Sequence, residues 1–390
     1  MPSLSQLAAS IKQSEIRIMS VECEKVRGVN LAQGVCDTEV PLPVRRGAEA
    51  AIEGGRNSYT RLDGVPELRN AIAQKLQREN GITVDPETEV VVTVGSTGAF
   101  YSACMSLLNP GDEVIVFEPF YGYHVNTLLA MHCRPVFVTL GPPDWAFSRA
   151  ALEQAITPRT RAIVLNSPAN PSGKVFSREE MQWIADLAAK HDLVIFTDEI
   201  YEYFLYDGRE HISIATLPGM RERTITIAGF SKTFSITGWR IGYAVCDRKW
   251  SGAIGYFSDL FYICAPSVLQ LGVAAGLLEL QPGFYQTMSR EYGVKRDLLC
   301  DSLRAVGLTP SVPQGSYYVL ADASRLPGRN SKEKAMYLLK ETGVASVPGA
   351  AFFRPGGGEN LLRFCFAKTD SELRDGCQRL QQLRAAVAAR

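Results

Sequence analysis

A chain of 390 residues, 46% of them hydrophobic, is long enough for one large domain or two with a substantial core. Its 41 basic and 41 acidic residues cancel, and no basic patch or charge run stands out. That argues against nucleic acid or an anionic membrane surface as the main partner. No stretch is apolar for long enough to span a bilayer, and Met1-Pro2-Ser3-Leu4 does not open a signal peptide. Nine scattered cysteines without a Cys-x-x-Cys pair suit a reducing cytoplasm rather than a disulfide frame or a zinc site. The four histidines, His124, His132, His191 and His211, lack metal-ligand spacing and read as surface or core residues, so no metal is expected.

In chain order, residues 1–30 predict an arm and a helix. Val29 to Gly34 then reads as a short strand ending in a glycine turn. Asn57 to Gly64 is a loop that holds Tyr59. Pro66 and Glu67 open a helix whose Leu68, Ala71, Ile72 and Leu76 share a face. From Glu89 onward seven β-rich runs follow: Val90–Val94, Val114–Phe117, Val136–Leu140, Ala162–Leu165, Leu193–Thr197, Thr224–Ala228 and Ile241–Cys246. Several are apolar throughout, as strands buried on both faces should be. Helical patterns separate many of them. The one from Ser177 to Lys190 opens with a capping box, Ser177 and Glu180, and places Met181, Ile184, Ala185 and Ala188 on one face. The alternation predicts an α/β layer sandwich with a mainly parallel sheet of seven strands. In such sheets ligands sit at the carboxyl ends of the strands.

Most of the chemistry-bearing motifs fall at those ends. Gly95-Ser96-Thr97 is a glycine-hydroxyl turn at a helix start, which can present N–H groups and hydroxyls to an anion; helix capping explains the same residues. It matches neither Gly-x-Gly-x-x-Gly nor a Walker loop, so a dinucleotide or nucleoside triphosphate is not indicated. Glu118 to Tyr123 is rich in aromatics, Tyr121 among them. Asn166 to Gly173 is a turn around Asn170. Asp198, with Tyr201 just beyond, leaves an apolar run, and an acid there needs a partner or solvent.

Gly229 to Tyr243 then follows the sixth run, with Ser231, Lys232 and Arg240 between glycines. Burial lowers a lysine's pKa, and a neutral amine can form a Schiff base with a carbonyl. Arg240 is a fixed cation suited to a phosphate oxygen pair. A Schiff-base lysine beside a phosphate cation suggests pyridoxal phosphate. Pro313 to Tyr318 and the apolar run Leu361–Phe366, which holds Arg363, belong to the C-terminal part. The last helix starts at a second capping box, Thr369 and Glu372, with Leu373, Cys377, Leu380 and Val387 along one side.

Gly229, Phe230, Ser231, Lys232, Ser235, Ile236, Gly238, Arg240, Ile241 and Gly242 resemble the lysine motif of class I/II aminotransferases, fold-type I enzymes of pyridoxal phosphate. The similarity runs from about Asn30 to the last helix. It implies a cofactor bound to Lys232, with its phosphate on Gly95, Ser96, Thr97, Ser231 and Arg240, and with Tyr59 reaching across from a neighbouring subunit. It implies Tyr121 stacked on the ring, Asn170 and Tyr201 on the 3-oxygen, and Asp198 on the ring nitrogen. Gly34, Asn170 and Arg363 would meet the substrate, Arg363 through its α-carboxylate. Many family members carry a serine three residues before the lysine; here it is Gly229.

The implied domains are a large one, 48–290, and a small one built from 1–47 and 291–390. The implied enzyme is a cytoplasmic homodimer with shared sites. It would move an amino group from an L-amino acid to a 2-oxo acid, 2-oxoglutarate, in two half-reactions, with Lys232 shuttling the proton. Trp250 to Ser289 holds no lysine or arginine, where aspartate-specialised members often place an arginine. Apolar, aromatic or methionine-type donors are therefore expected. Two alternatives stand beside this reading. One is a C–S β-lyase on the same lysine. The other is a non-catalytic ligand-sensing domain; such proteins carry a DNA-binding domain ahead of this fold, whereas here the cofactor-domain pattern begins by about residue 48.

Overall fold

The computed structural model describes residues 14–383, together with 5, 7 and 8. A two-residue strand, β1 (Val29–Asn30), precedes the main sheet. That sheet is built from β2 (Val90–Val94), β3 (Glu113–Glu118), β4 (Arg134–Thr139), β5 (Thr160–Asn166), β6 (Val194–Asp198), β7 (Thr224–Gly229) and β8 (Ile241–Val245). They are ordered β2-β8-β7-β6-β5-β3-β4. These are the seven expected runs, with ends moved by a residue or two. All strands but β8 run the same way; β8 pairs antiparallel with β2 and with β7. The reason is length. Phe230–Arg240 is too short for the helical crossover that a parallel return needs.

Alternate strand residues serve opposite faces. Val114 and Val116 of β3 pack into one core with Ala99, Ala103 and Phe196, whereas Ile115 and Phe117 pack into another with Ile163, Ile184 and Leu187. Both faces are covered, which is why these runs read as continuously apolar. The helix Arg178–Lys190 starts at a reciprocal capping box between Ser177 and Glu180, as its sequence predicts.

The later strands are β9 (Thr309–Ser311), β10 (Tyr318–Asp322), β11 (Val344–Ala345), β12 (Val347–Pro348) and β13 (Leu361–Cys365). Four of them make an antiparallel sheet, β12-β13-β10-β9, while β1 pairs with β11. The two ends of the chain therefore share one core, from Met19 and Cys23 to Leu373 and Leu380, and that core reaches Tyr201 and Phe204. The second predicted capping box is corrected: Thr369 accepts from the Glu372 amide, but only that half is present. The Glu372 carboxylate lies 3.8 Å from the Lys368 ammonium, which itself donates to Asp37 at 2.7 Å. Val387 lies outside the described residues.

Candidate active site

The carboxyl ends of β5, β6 and β7 face a cavity of about 460 Å³, within the range of small-molecule sites. One end is shaped by glycines. Gly95 sits at φ +69, and its N–H donates to the Arg240 carbonyl at 3.0 Å. A Cβ on Gly95 would run into Arg240 Nη2, and one on Gly242 would run into the Gly95–Ser96 peptide. Only with both glycines can β8 and the helix Gly95–Leu107 approach so closely. Arg240, itself at φ +59, donates from Nη1 to the Thr237 carbonyl at 3.0 Å. Ser96, Thr97, Ser231 and Arg240 all line the cavity. At Gly229 a Cβ would lie 3.1 Å from Ile200 Cδ1 and 3.2 Å from Gly242 Cα. A serine there would be crowded, and Ser231 is the nearby hydroxyl that lines the cavity.

Lys232 lines the same cavity. Its Nζ donates to the Gly34 carbonyl at 3.1 Å, and the Tyr317 hydroxyl donates to the same carbonyl at 3.3 Å. Burial depresses the Lys232 ammonium below the ordinary lysine range; the Arg240 and Arg363 cations push the same way, against the pull of Cys36 and Cys365. Gly34 has its own steric cause, because a Cβ there would overlap the Tyr318 hydroxyl.

Asp198, the last residue of β6, is buried. Its Oδ2 lies 3.1 Å from His124 Nε2, and its Oδ1 accepts from the Ile200 amide at 3.2 Å. His124 is wedged between Phe100 and Tyr121, with ring centroids 4.6 and 5.2 Å away. Asn166 ties two strand ends together: Nδ2 donates to the Asp198 carbonyl at 3.0 Å, and Oδ1 accepts from the Asn170 amide at 2.8 Å. Asn170 Oδ1 in turn accepts from Arg363 Nη1 at 2.9 Å, and Arg363 Nη2 donates to the Ala32 carbonyl at 2.6 Å. Tyr201 and Tyr318 join hydroxyls at 3.2 Å. Burial raises Tyr201 well above its ordinary value and pushes Tyr318 up to about 12, so both stay protonated at neutral pH.

The structure thus brings Gly34, Ser96, Thr97, Tyr121, Asn170, Asp198, Tyr201, Ser231, Lys232 and Arg240 to one cavity wall. Gly95 shapes that wall from behind. Arg363 is not among the residues that line the cavity. It is fully buried behind Asn170, packed on Tyr318 and Phe352 at 4.2 and 4.8 Å, and its Nε has no hydrogen-bond partner among the described residues. Tyr59 is 83% exposed and is not brought to this cavity. Sequence reasoning passed over His124 and Tyr318. For His124 the available signal was its place in the first turn of the helix Gly122–Ala130, right after Tyr121.

The sequence profile described as "Aminotransferase class I and II" matches residues 26–380. A kynurenine–oxoglutarate transaminase of Dictyostelium discoideum is 36% identical, over 92% of each chain. Aromatic-amino-acid aminotransferase 2 of Thermococcus litoralis is 33% identical, over 98% of each. The solved structure of N-succinyldiaminopimelate aminotransferase from Mycobacterium tuberculosis superposes with a TM-score of 0.94 at 35% identity, covering 98% of this chain and 100% of that one. Sequence, fold and cavity agree, and the chain belongs to the class I and II aminotransferases, enzymes that use pyridoxal phosphate to pass an amino group between an amino acid and a 2-oxo acid.

Proposed function

We propose that this cavity transfers the amino group of an L-amino acid with an apolar or aromatic side chain to 2-oxoglutarate, with Lys232 as the residue that moves the proton. The observation that carries this reading is the pairing, across one cavity, of a lysine amine with a depressed pKa and a buried aspartate held by a histidine. The names of the relatives, kynurenine–oxoglutarate transaminase and aromatic-amino-acid aminotransferase, support the choice of substrates.

The cofactor fits the residues present. The glycine-shaped end offers three hydroxyls, helix N–H groups and a guanidinium, a donor set for a phosphate. Asp198, with its carboxyl held by His124, would hold a ring N–H, and Asn170 and Tyr201 would hold a ring oxygen. Bound there, pyridoxal phosphate supplies an aldehyde for the amino group and a ring that draws electrons from the α-carbon. Lys232 Nζ, whose neutral form burial favours and which the Gly34 carbonyl aims, would take the α-proton and return it to the carbon on the far side of the transferred nitrogen. Arg363, whose Nη1 already reaches Asn170 at the cavity wall, would anchor the α-carboxylate beside it. Tyr121 walls one side of the ring site and excludes water from it.

The same proposal includes a cytoplasmic homodimer. Tyr59 is exposed and does not line its own cavity, and Tyr256, Leu260, Phe261, Tyr262 and Ile263 are exposed apolar residues close together in the chain; both support a partner subunit that covers them and receives Tyr59. All nine cysteines are free thiols, which supports a reducing compartment. The cofactor would sit on residues 48–290, and residues 1–47 with 291–390 would form the smaller part, with the helix Pro282–Ala305 running across the join. The test is a screen of amino donors against 2-oxoglutarate, following glutamate. Methionine, phenylalanine or another apolar donor should outpace aspartate; a strict preference for aspartate contradicts the donor assignment.

A further inference from the structure

A second hollow of about 1120 Å³ opens beside the cavity. Ser14, Ile16, Arg17, Tyr121 and Tyr123 line both spaces, so a substrate side chain that leaves the cavity toward this hollow crosses their wall. That wall is apolar on Ile16, Tyr121 and Tyr123 and carries one charge, Arg17.

The charges around the two spaces can be followed one by one. Asp198 faces His124. Glu15 is 2.6 Å from Lys332, and Arg354 is 3.4 Å from Glu118. Glu359 accepts from the Ser331 amide at 3.0 Å. Arg240 belongs to the phosphate end, and Lys232 is held by Gly34. Arg17 is exposed and has no ion pair and no side-chain hydrogen bond among the described residues. Residues 1–4, 6 and 9–13 contain no aspartate or glutamate that could pair with it. A cation without a counter-charge among the described residues, at the junction of the reaction cavity and the neighbouring hollow, suits an anion carried by the substrate.

We infer that Arg17 sets specificity for dicarboxylic substrates: it receives the side-chain carboxylate of a 2-oxo or 2-amino dicarboxylic acid whose α-carboxylate is on Arg363. This rests on the amino-transfer reading above and adds to it. An aminotransferase must admit two unlike side chains in turn at one wall. Ile16, Tyr121 and Tyr123 meet an apolar chain. Arg17 meets an anionic one, and, being exposed, it stays in water when the chain is apolar. The stretch from Trp250 to Ser289 offers no competing cation.

The test uses the full-length holoenzyme with Arg17→Gln and Arg17→Lys. Each half-reaction is followed separately, for glutamate with 2-oxoglutarate and for methionine with its 2-oxo acid. Glutarate binding is measured by calorimetry. For Arg17→Gln, kcat/KM for the dicarboxylic pair and the glutarate affinity should each fall about tenfold, the size expected for a charge-assisted contact at a partly exposed site. The methionine pair should shift less than about twofold, because no charge is involved. Arg17→Lys should recover part of the loss. Equal losses on both pairs, or an unchanged glutarate affinity, would overturn the assignment. If the wild-type enzyme moved no amino group at all, the functional reading would fail, and the glutarate measurement would still decide the role of Arg17.

Discussion

At the scale of single residues, the site depends on two groups whose behaviour is set by their surroundings. Lys232 must be neutral to attack a carbonyl, and burial favours that form. A lowered pKa means that the neutral amine is already populated at a lower pH. The rate at which the cofactor-free protein captures pyridoxal phosphate should therefore rise with pH and level off below about 10.4, the value of an unperturbed lysine. A rate that keeps climbing through that value contradicts the environment described for Lys232. Asp198 depends on His124, which positions it rather than touching substrate. His124→Phe should lower kcat by roughly tenfold to a hundredfold, as removal of an orienting partner does elsewhere, and should shift the pH titration of the bound cofactor's absorbance. His124→Gln, which keeps a donor, should restore part of both. An unmoved titration would reduce His124 to a packing residue. Asp198, Asn170 and Lys232 were visible in the sequence because each follows an apolar run at a strand end. His124 was not, since one histidine on a helix start looks the same whether it packs or orients. The bond between Arg363 and Asn170 joins residues 193 apart in the chain, and no local pattern announces it.

At the scale of elements, the seven β-rich runs and the capped helix Arg178–Lys190 were legible because strands buried on both faces leave continuous apolar stretches. The direction of β8 was not. It follows from the length of the Phe230–Arg240 connection, a constraint on geometry rather than on residue type. The half-formed cap at Thr369 escaped for a similar reason: whether Glu372 closes the box depends on charges from outside the motif, Lys368 and Asp37. Two substitutions test this level. Ser177→Ala removes the side-chain half of a complete capping box and should cost about 1 kcal/mol of stability, read from denaturant midpoints. Gly95→Ala forces a Cβ into the left-handed region against Arg240 Nη2. It should destabilise the turn by about 1–2 kcal/mol and weaken retention of the cofactor on dialysis. Full retention would mean that the glycine-shaped end does not hold the phosphate.

For the whole molecule, the N-terminal segment and the C-terminal strands close one core against the Asp198–Phe204 segment, which brings Gly34 and Tyr201 to the same cavity, and Arg363 behind its Asn170, from distant parts of the chain. Tyr59 is the exception, and it sets a test of the dimer. If each site borrows Tyr59 from its partner, a mixed dimer of Lys232→Ala and Tyr59→Phe subunits has one doubly damaged site and one intact site. Its activity should exceed that of either parent; activity no higher than their average contradicts sharing, provided Tyr59→Phe alone is impaired. The central claim is that Lys232, in this cavity, moves the proton in amino transfer to a 2-oxo acid. It is tested most directly by giving the enzyme a ¹⁵N-labelled apolar L-amino acid and 2-oxoglutarate and following the label. The wild-type enzyme should deliver ¹⁵N to glutamate over many turnovers, while Lys232→Ala, still folded, should deliver none beyond the background rate. Label that reaches glutamate equally fast in both proteins would contradict the account.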